Sequence, residues 1–276
     1  MSKKSDLFEQ NLADCANRFN YLPSTLPNWM KSLGINSNAR IINASRIGSN
    51  SKDNKTDVLI ELENSQPIKI SAKLSSADNF GNWYGHVRFL EEFGEETFYK
   101  LTKAITAWAN SWIAKPQASP FVGVSICFGR RTGETAIPFL DIFYPQDIIS
   151  VVRGFGEECN STANCMYIDD IPPTSIEDLI RNLRPITLES IKEATGKFMI
   201  ACRPINPMTE CSNRGKNVYT QFIPFKPLDC LTTVTTTDEL RELGSFQTVI
   251  PNRLNHNHIL NNLEKEFNLV VPRKKG

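Results

Sequence analysis

The stretch Asn54–Leu74, N-K-T-D-V-L-I-E-L-E-N-S-Q-P-I-K-I-S-A-K-L, decides how this chain folds. Two apolar runs, Val58-Leu59-Ile60-Glu61-Leu62 and Ile68-Lys69-Ile70-Ser71-Ala72, are separated by the polar segment Glu63-Asn64-Ser65-Gln66-Pro67. Largely alternating runs rich in Ile and Val, split by turn residues, predict a β-hairpin. A hairpin returns the chain to its start, so Asp57 at the entrance of the first strand and Lys73 at the exit of the second meet at one end of the sheet. Ser71 shares a face with Lys73, because alternate strand residues do. A carboxylate beside a lysine suits metal-dependent phosphodiester cleavage. The carboxylate holds Mg2+, a cation that takes few protein oxygens and keeps several waters. The metal polarises the phosphate and lowers the pKa of a bound water. The lysine neutralises charge developing on the phosphate.

The pattern T-D-V-x-I followed by I-S-x-K resembles the PD-(D/E)XK nucleases, especially the type II restriction endonucleases. The resemblance covers roughly the first half of the chain. It implies that Asp57 is the first acid and metal ligand, and that Lys73 is the catalytic lysine. Ser71 departs from the family pattern, which has Asp or Glu there. The site then runs with fewer acids, or an acid from a nearby helix substitutes. The family's first helix often packs on the sheet and can lend one, which makes Glu9 a second candidate for catalysis and metal binding. Glu91 and Glu92 are weaker candidates for the same role. The implied architecture is α/β: a mixed central sheet flanked by helices, with a β-rich C-terminal elaboration. The implied activity is Mg2+-dependent, sequence-specific cleavage of double-stranded DNA by a homodimer, whose two-fold symmetry suits cutting both strands. A DNA-binding protein that keeps the fold without the chemistry stays open as the alternative, because of Ser71.

Composition bounds the rest. The 276 residues are 40% hydrophobic and 22% charged, which predicts a globular chain of one domain, with a catalytic core over residues 1–145 and a DNA-clamping elaboration over residues 146–276. No apolar run is long enough to span a membrane. The start, M-S-K-K-S-D, does not read as a signal peptide, and the seven scattered cysteines include no C-x-x-C pair, so reduced thiols in the cytoplasm are expected. The net charge of +1 excludes a wholly basic DNA-binding surface but not a local basic cleft.

Outward from the hairpin, Asp6–Phe19 reads as a helix with Ser5 as N-cap, and Arg40–Ile47 as a strand or a helix end. The loop Gly48–Asn54 leads to Asp57, with Lys52 and Lys55 placed to contact DNA phosphates. Val87–Ile113 is helical in two pieces broken at Gly94, with Phe98, Leu101, Ile105, Trp108, Ala109 and Trp112 on one apolar face. His86 reads as a structural histidine. Phe121–Phe128 and Ala136–Tyr144 read as two strands joined by a Gly129-Arg130-Arg131-Thr132-Gly133 turn, a β-arm whose arginines suit guanine or phosphate. Pro145–Gly156 holds a short helix and Glu157–Thr174 a long loop. Further helices are expected at Ser175–Leu183, Thr187–Thr195, Asp238–Leu243 and His256–Phe267. The strands Lys197–Ala201 and Val218–Phe225 enclose a polar loop carrying Arg203, Asn206, Asn213, Arg214 and Lys216, a second candidate DNA-reading element.

Overall fold

The structure, a computed structural model, describes residues 3–47, 55–81, 84–156, 161–210, 217–252 and 254–274. Its elements run α1 (Lys3–Asn17), α2 (Asn28–Ser32), β1 (Ile41–Arg46), β2 (Val58–Leu62), β3 (Ile68–Lys73), β4 (Asn79–Gly81), α3 (His86–Trp112), β5 (Val124–Gly129) and β6 (Ala136–Pro138). They continue with α4 (Pro145–Arg153), β7 (Cys165–Ile168), α5 (Ile176–Asn182), β8 (Leu183–Pro185), α6 (Leu188–Thr195) and β9 (Met199–Pro204). The chain closes with β10 (Gln221–Pro224), β11 (Thr232–Thr233), α7 (Thr237–Leu243), β12 (Gly244–Gln247), α8 (His256–Phe267) and β13 (Leu269–Val270). The chain divides into two compact units, one of Met1–Phe80 with Tyr144–Phe198, the other of Gly81–Phe143 with Met199–Gly276. Residues 1–145 and 146–276 thus each contribute to both units.

The first unit is built on a mixed five-stranded sheet in the order β1-β2-β3-β7-β8. The hairpin forms as its alternation dictates: β2 and β3 are antiparallel, with Val58 opposite Ile70 and Ile60 opposite Ile68. Asn64 makes its turn with φ 52°, a left-handed conformation that Asn tolerates better than most residues. The segment after Arg40, ambiguous in sequence, is the edge strand β1, with Arg46 opposite Val58. One face of the sheet carries Val58, Ile60, Ile70, Ala72 and Tyr167 into a core shared with Phe8 and Leu12 of α1 and Leu179 of α5. That burial drives α1 onto β1 and β2. The helix begins at Lys3, so Ser5 lies within its first turn and is not the N-cap.

The expected long loop over Glu157–Thr174 contains a strand. β7 pairs in parallel with β3, Ser71 opposite Met166 and Lys73 opposite Ile168. Cys-Met-Tyr-Ile is a short run among Asn, Asp and Pro, and what makes it a strand is the open edge of β3 beside it. The helices after it start as their caps dictate, Ser175 accepting from the Asp178 amide and Thr187 from the Ser190 amide.

In the second unit, α3 breaks at Gly94 (φ 77°, ψ 171°), as the sequence indicates. Its inner face buries Phe89, Phe98, Leu101, Ile105 and Ala109. Trp108 is only half-buried; it stacks on Trp112 at 5.4 Å and donates its indole N–H to the Glu134 carbonyl at 2.7 Å. Ala136–Tyr144 is strand only to Pro138 and then a 3-10 turn, Phe139–Asp141. β5 and β6 do not pair with each other, because β9 lies between them, antiparallel to both. The expected β-arm is therefore not a hairpin. Nor do the strands at 199–204 and 221–224 pair with each other; β10 pairs with β12.

Candidate functional site

The mouth of the β2–β3 hairpin is held by one carboxylate. Asp57 Oδ2 accepts the Ala72 amide at 2.8 Å and the Lys73 Nζ at 2.7 Å. The Lys73 ammonium also donates to its neighbour's carbonyl, Ala72 O, at 2.8 Å. Backbone bonds fix the frame: the Asp57 amide donates to Ile70 O at 2.8 Å and Asp57 O accepts from the Ile47 amide at 3.0 Å. Continuing the register of Val58 with Ile70 sets Asp57 opposite Ser71, which puts Asp57, Ser71 and Lys73 on one face of the sheet. Ser71 is buried at 2% exposure, while the side chains of Asp57 and Lys73 keep 13% and 22%, so the pair is open to a ligand at one side. Among the described residues no donor reaches Asp57 Oδ1.

Glu9, from the first helix, is a buried acid that feels the charges of this pair. Its side chain is 3% exposed and its Oε2 accepts from Arg46 Nε at 2.8 Å. Burial pushes its pKa up, the hydrogen bond from Arg46 pulls it down, and it feels the charges of both Asp57, which raises it, and Lys73, which lowers it. Two carboxylates and a lysine thus share one electrostatic environment. Arg46 also pairs with Asp6 through Nη2 at 2.5 Å, bracing Glu9 from the edge strand. Sequence reading did not single out Arg46. The only signal was its position at the end of a run, I-I-N-A-S-R, too irregular to fix a strand's faces.

Carboxylate oxygens suit Mg2+, which binds through one or two protein carboxylates, several waters and substrate phosphate. Glu9 and Asp57 would hold it. Among the described residues no group of three His, Cys, Asp or Glu is clustered as a metal site. Glu91 and Glu92 lie in the second unit, where Glu92 Oε1 takes the Arg88 Nε at 2.7 Å.

The remaining candidates are scattered. Lys55 stands two residues before Asp57; its amide donates to Ser161 O at 2.8 Å and its stem passes close to Gly154. Lys52, Asn213, Arg214 and Lys216 lie outside the described residues. Arg130 follows β5. Arg131 and Arg203, expected on separate elements, line a single depression of the second unit. Asn206 sits in a turn, its Oδ1 accepting the Met208 amide at 2.9 Å. Asn217 likewise serves structure, its Oδ1 accepting the His86 amide at 2.8 Å at the start of α3.

His86 has the structural role expected of it. Its Nε2–H donates to Val218 O at 2.8 Å, while Nδ1 accepts the Asn252 amide at 3.1 Å. Both ring nitrogens are thus spent on the backbone, and burial pulls the pKa down to about 4.

Among the described residues no helix is long and apolar enough to cross a membrane. No protein-family model, no curated protein and no solved structure shows a significant match to this chain.

Proposed function

We propose that this chain is a Mg2+-dependent, sequence-specific endonuclease of double-stranded DNA, of the type II restriction class, working as a homodimer on a restriction-endonuclease-like core. The observation that carries the reading is the hairpin mouth, where Asp57 Oδ2 sits 2.7 Å from Lys73 Nζ and Glu9 is electrostatically coupled to both. A partly exposed Asp–Lys ion pair at the end of a sheet supports this reading.

Mg2+, when bound, would polarise the scissile phosphate and acidify an attacking water. The chain's own residues do the rest. Asp57 and Glu9 would hold the cation, Arg46 keeps Glu9 oriented, and Lys73 would offer its ammonium to charge developing on the phosphate. The ion pair of Lys73 with Asp57 keeps the ammonium at the site before substrate arrives. Ser71 adds a hydroxyl without charge, so Glu9 takes the place of the acid expected at position 71.

The alternative is a DNA-binding protein without cleavage, and the uncharged Ser71 at the acidic position of the triplet favours it. A supercoiled plasmid incubated with and without Mg2+ separates the two. Discrete linear fragments that require Mg2+ support the enzyme; retarded but intact DNA supports the binder.

A further inference from the structure

Helix α1 makes polar contact with the edge strand β1 at two places, both in the first unit. At the C-terminal end of the helix, Asn17 meets the Ala44 peptide with both atoms of its carboxamide. Nδ2 donates to Ala44 O at 2.6 Å, and Oδ1 accepts the Ala44 amide at 2.8 Å. Nearer the start of the helix, Glu9 Oε2 accepts from Arg46 Nε at 2.8 Å and Asp6 Oδ1 accepts from Arg46 Nη2 at 2.5 Å.

The two contacts depend on each other. Glu9 stands ~12 Å from Asn17 along the helix axis, at ~1.5 Å per residue. Arg46 stands only ~6.6 Å from Ala44 along the strand, at ~3.3 Å per residue. The long Arg46 side chain spans the remainder. Between the two contacts the helix buries Phe8, Leu12, Ala13 and Ala16 in the core it shares with the sheet. Apolar burial is non-directional, so it decides which face of α1 lies down but not how far the helix slides along the strand. The Asn17 bonds are directional. A carboxamide offers the donor and the acceptor of a peptide group, and here they tie the helix end to one residue of the strand. Such a tie matters in β1, whose register with β2 shifts between Ile41 and Asn43. The Ile41 amide is held separately, by Asn20 O at 2.8 Å, so the strand keeps a second anchor when Asn17 is replaced.

We propose that Asn17 is a positioning residue of the hairpin site, setting the place of α1 along β1 and with it the place of Glu9 beside Arg46. The consequence for metal binding rests on the nuclease reading; the link from Asn17 to Arg46 and Glu9 does not.

Hydrogen exchange read by NMR on the full chain tests that link without any cleavage. In Asn17→Ala the Arg46 Nε–H should exchange on the order of tenfold faster. The Asp57 amide, bonded to Ile70 O across the hairpin, should keep its rate, which a general loss of stability would not allow. Asn17→Asp keeps an acceptor for the Ala44 amide and should fall between. Asn43→Ala, at an exposed position of the same strand, should match the parent. The Mg2+ concentration for half-maximal plasmid cleavage tests the consequence. Asn17→Ala should raise it about three- to tenfold, keep the rate at saturating Mg2+, and add nothing in a Glu9→Gln background. Unchanged Arg46 exchange, or equal acceleration at Arg46 and Asp57, overturns the proposal whether or not the protein cuts DNA. Faster Arg46 exchange with an unmoved Mg2+ dependence, or an additive effect on Glu9→Gln, overturns the role at the site. A parent that does not cut DNA ends the nuclease reading, and the exchange rates alone then decide the link.

Discussion

The hairpin mouth and the arginine depression both gather charged side chains, but they are assembled in opposite ways. Asp57, Ser71 and Lys73 lie on two strands joined by a five-residue turn, and the pairing of Val58 with Ile70 alone brings them together. Arg131, Arg203 and Glu210 meet only because β9 inserts between β5 and β6, a long-range arrangement. The difference extends to charge. At the hairpin mouth Asp57 is paired with Lys73, and Glu9 with Arg46. The depression is bordered by two guanidinium groups and one carboxylate. On this account the first region does chemistry and the second does recognition, so substitutions in the two should separate rate from affinity.

The largest effect expected is at Asp57. Asp57→Ala should abolish cleavage while leaving DNA binding in Ca2+ intact or tighter, since a carboxylate near phosphates is removed. It also strips the acceptor from the Ala72 amide, a cost of about 1 kcal/mol in stability. Asp57→Asn keeps an oxygen there and should fold like the parent, so its loss of cleavage reports the charge alone. Near-normal cutting by either variant, in a quantitative plasmid assay, removes the carboxylate from the mechanism.

Next is Glu9. Glu9→Gln retains an oxygen for Arg46 Nε and loses the charge felt by Asp57 and Lys73. The Mg2+ concentration for half-maximal cleavage should rise on the order of tenfold or more, with DNA affinity unchanged. An unaltered Mg2+ dependence would leave Asp57 as the lone protein ligand.

His86 provides the contrast of a buried titratable group with no chemistry. Its pKa of about 4 in the fold lies below the ordinary value of 6.5, so the unfolded chain binds the extra proton first as pH falls. Stability is therefore full above about pH 6.5 and declines between there and about pH 4, by on the order of 3 kcal/mol for this residue. His86→Gln should flatten that part of the pH-dependent denaturation curve while leaving the cleavage rate of the folded enzyme at neutral pH unaltered.

The same contrast explains what the sequence made legible. The hairpin, the break at Gly94, and the capped helices after Ser175 and Thr187 all follow from periodicity or caps within one segment. β7 was not legible, because Cys165–Ile168 is a strand only by virtue of the β3 edge it joins. The arm around Arg130 and Arg131 was misread because two apolar runs with a Gly-rich turn look like a hairpin whether or not a third strand lies between them. Arg46 was missed because its role depends on the packing of α1 against the edge strand.

The central claim is that the hairpin mouth cleaves and the arginine depression recognises. Single-turnover cleavage at saturating DNA with Mg2+ tests it most directly, comparing the parent, Lys73→Ala and Arg203→Ala after each is shown to be folded. Lys73→Ala should cut on the order of a hundred- to a thousandfold slower, with its DNA affinity retained. Arg203→Ala should need more DNA to saturate and then cut at the parent rate. Cleavage by Lys73→Ala at the parent rate would contradict the account.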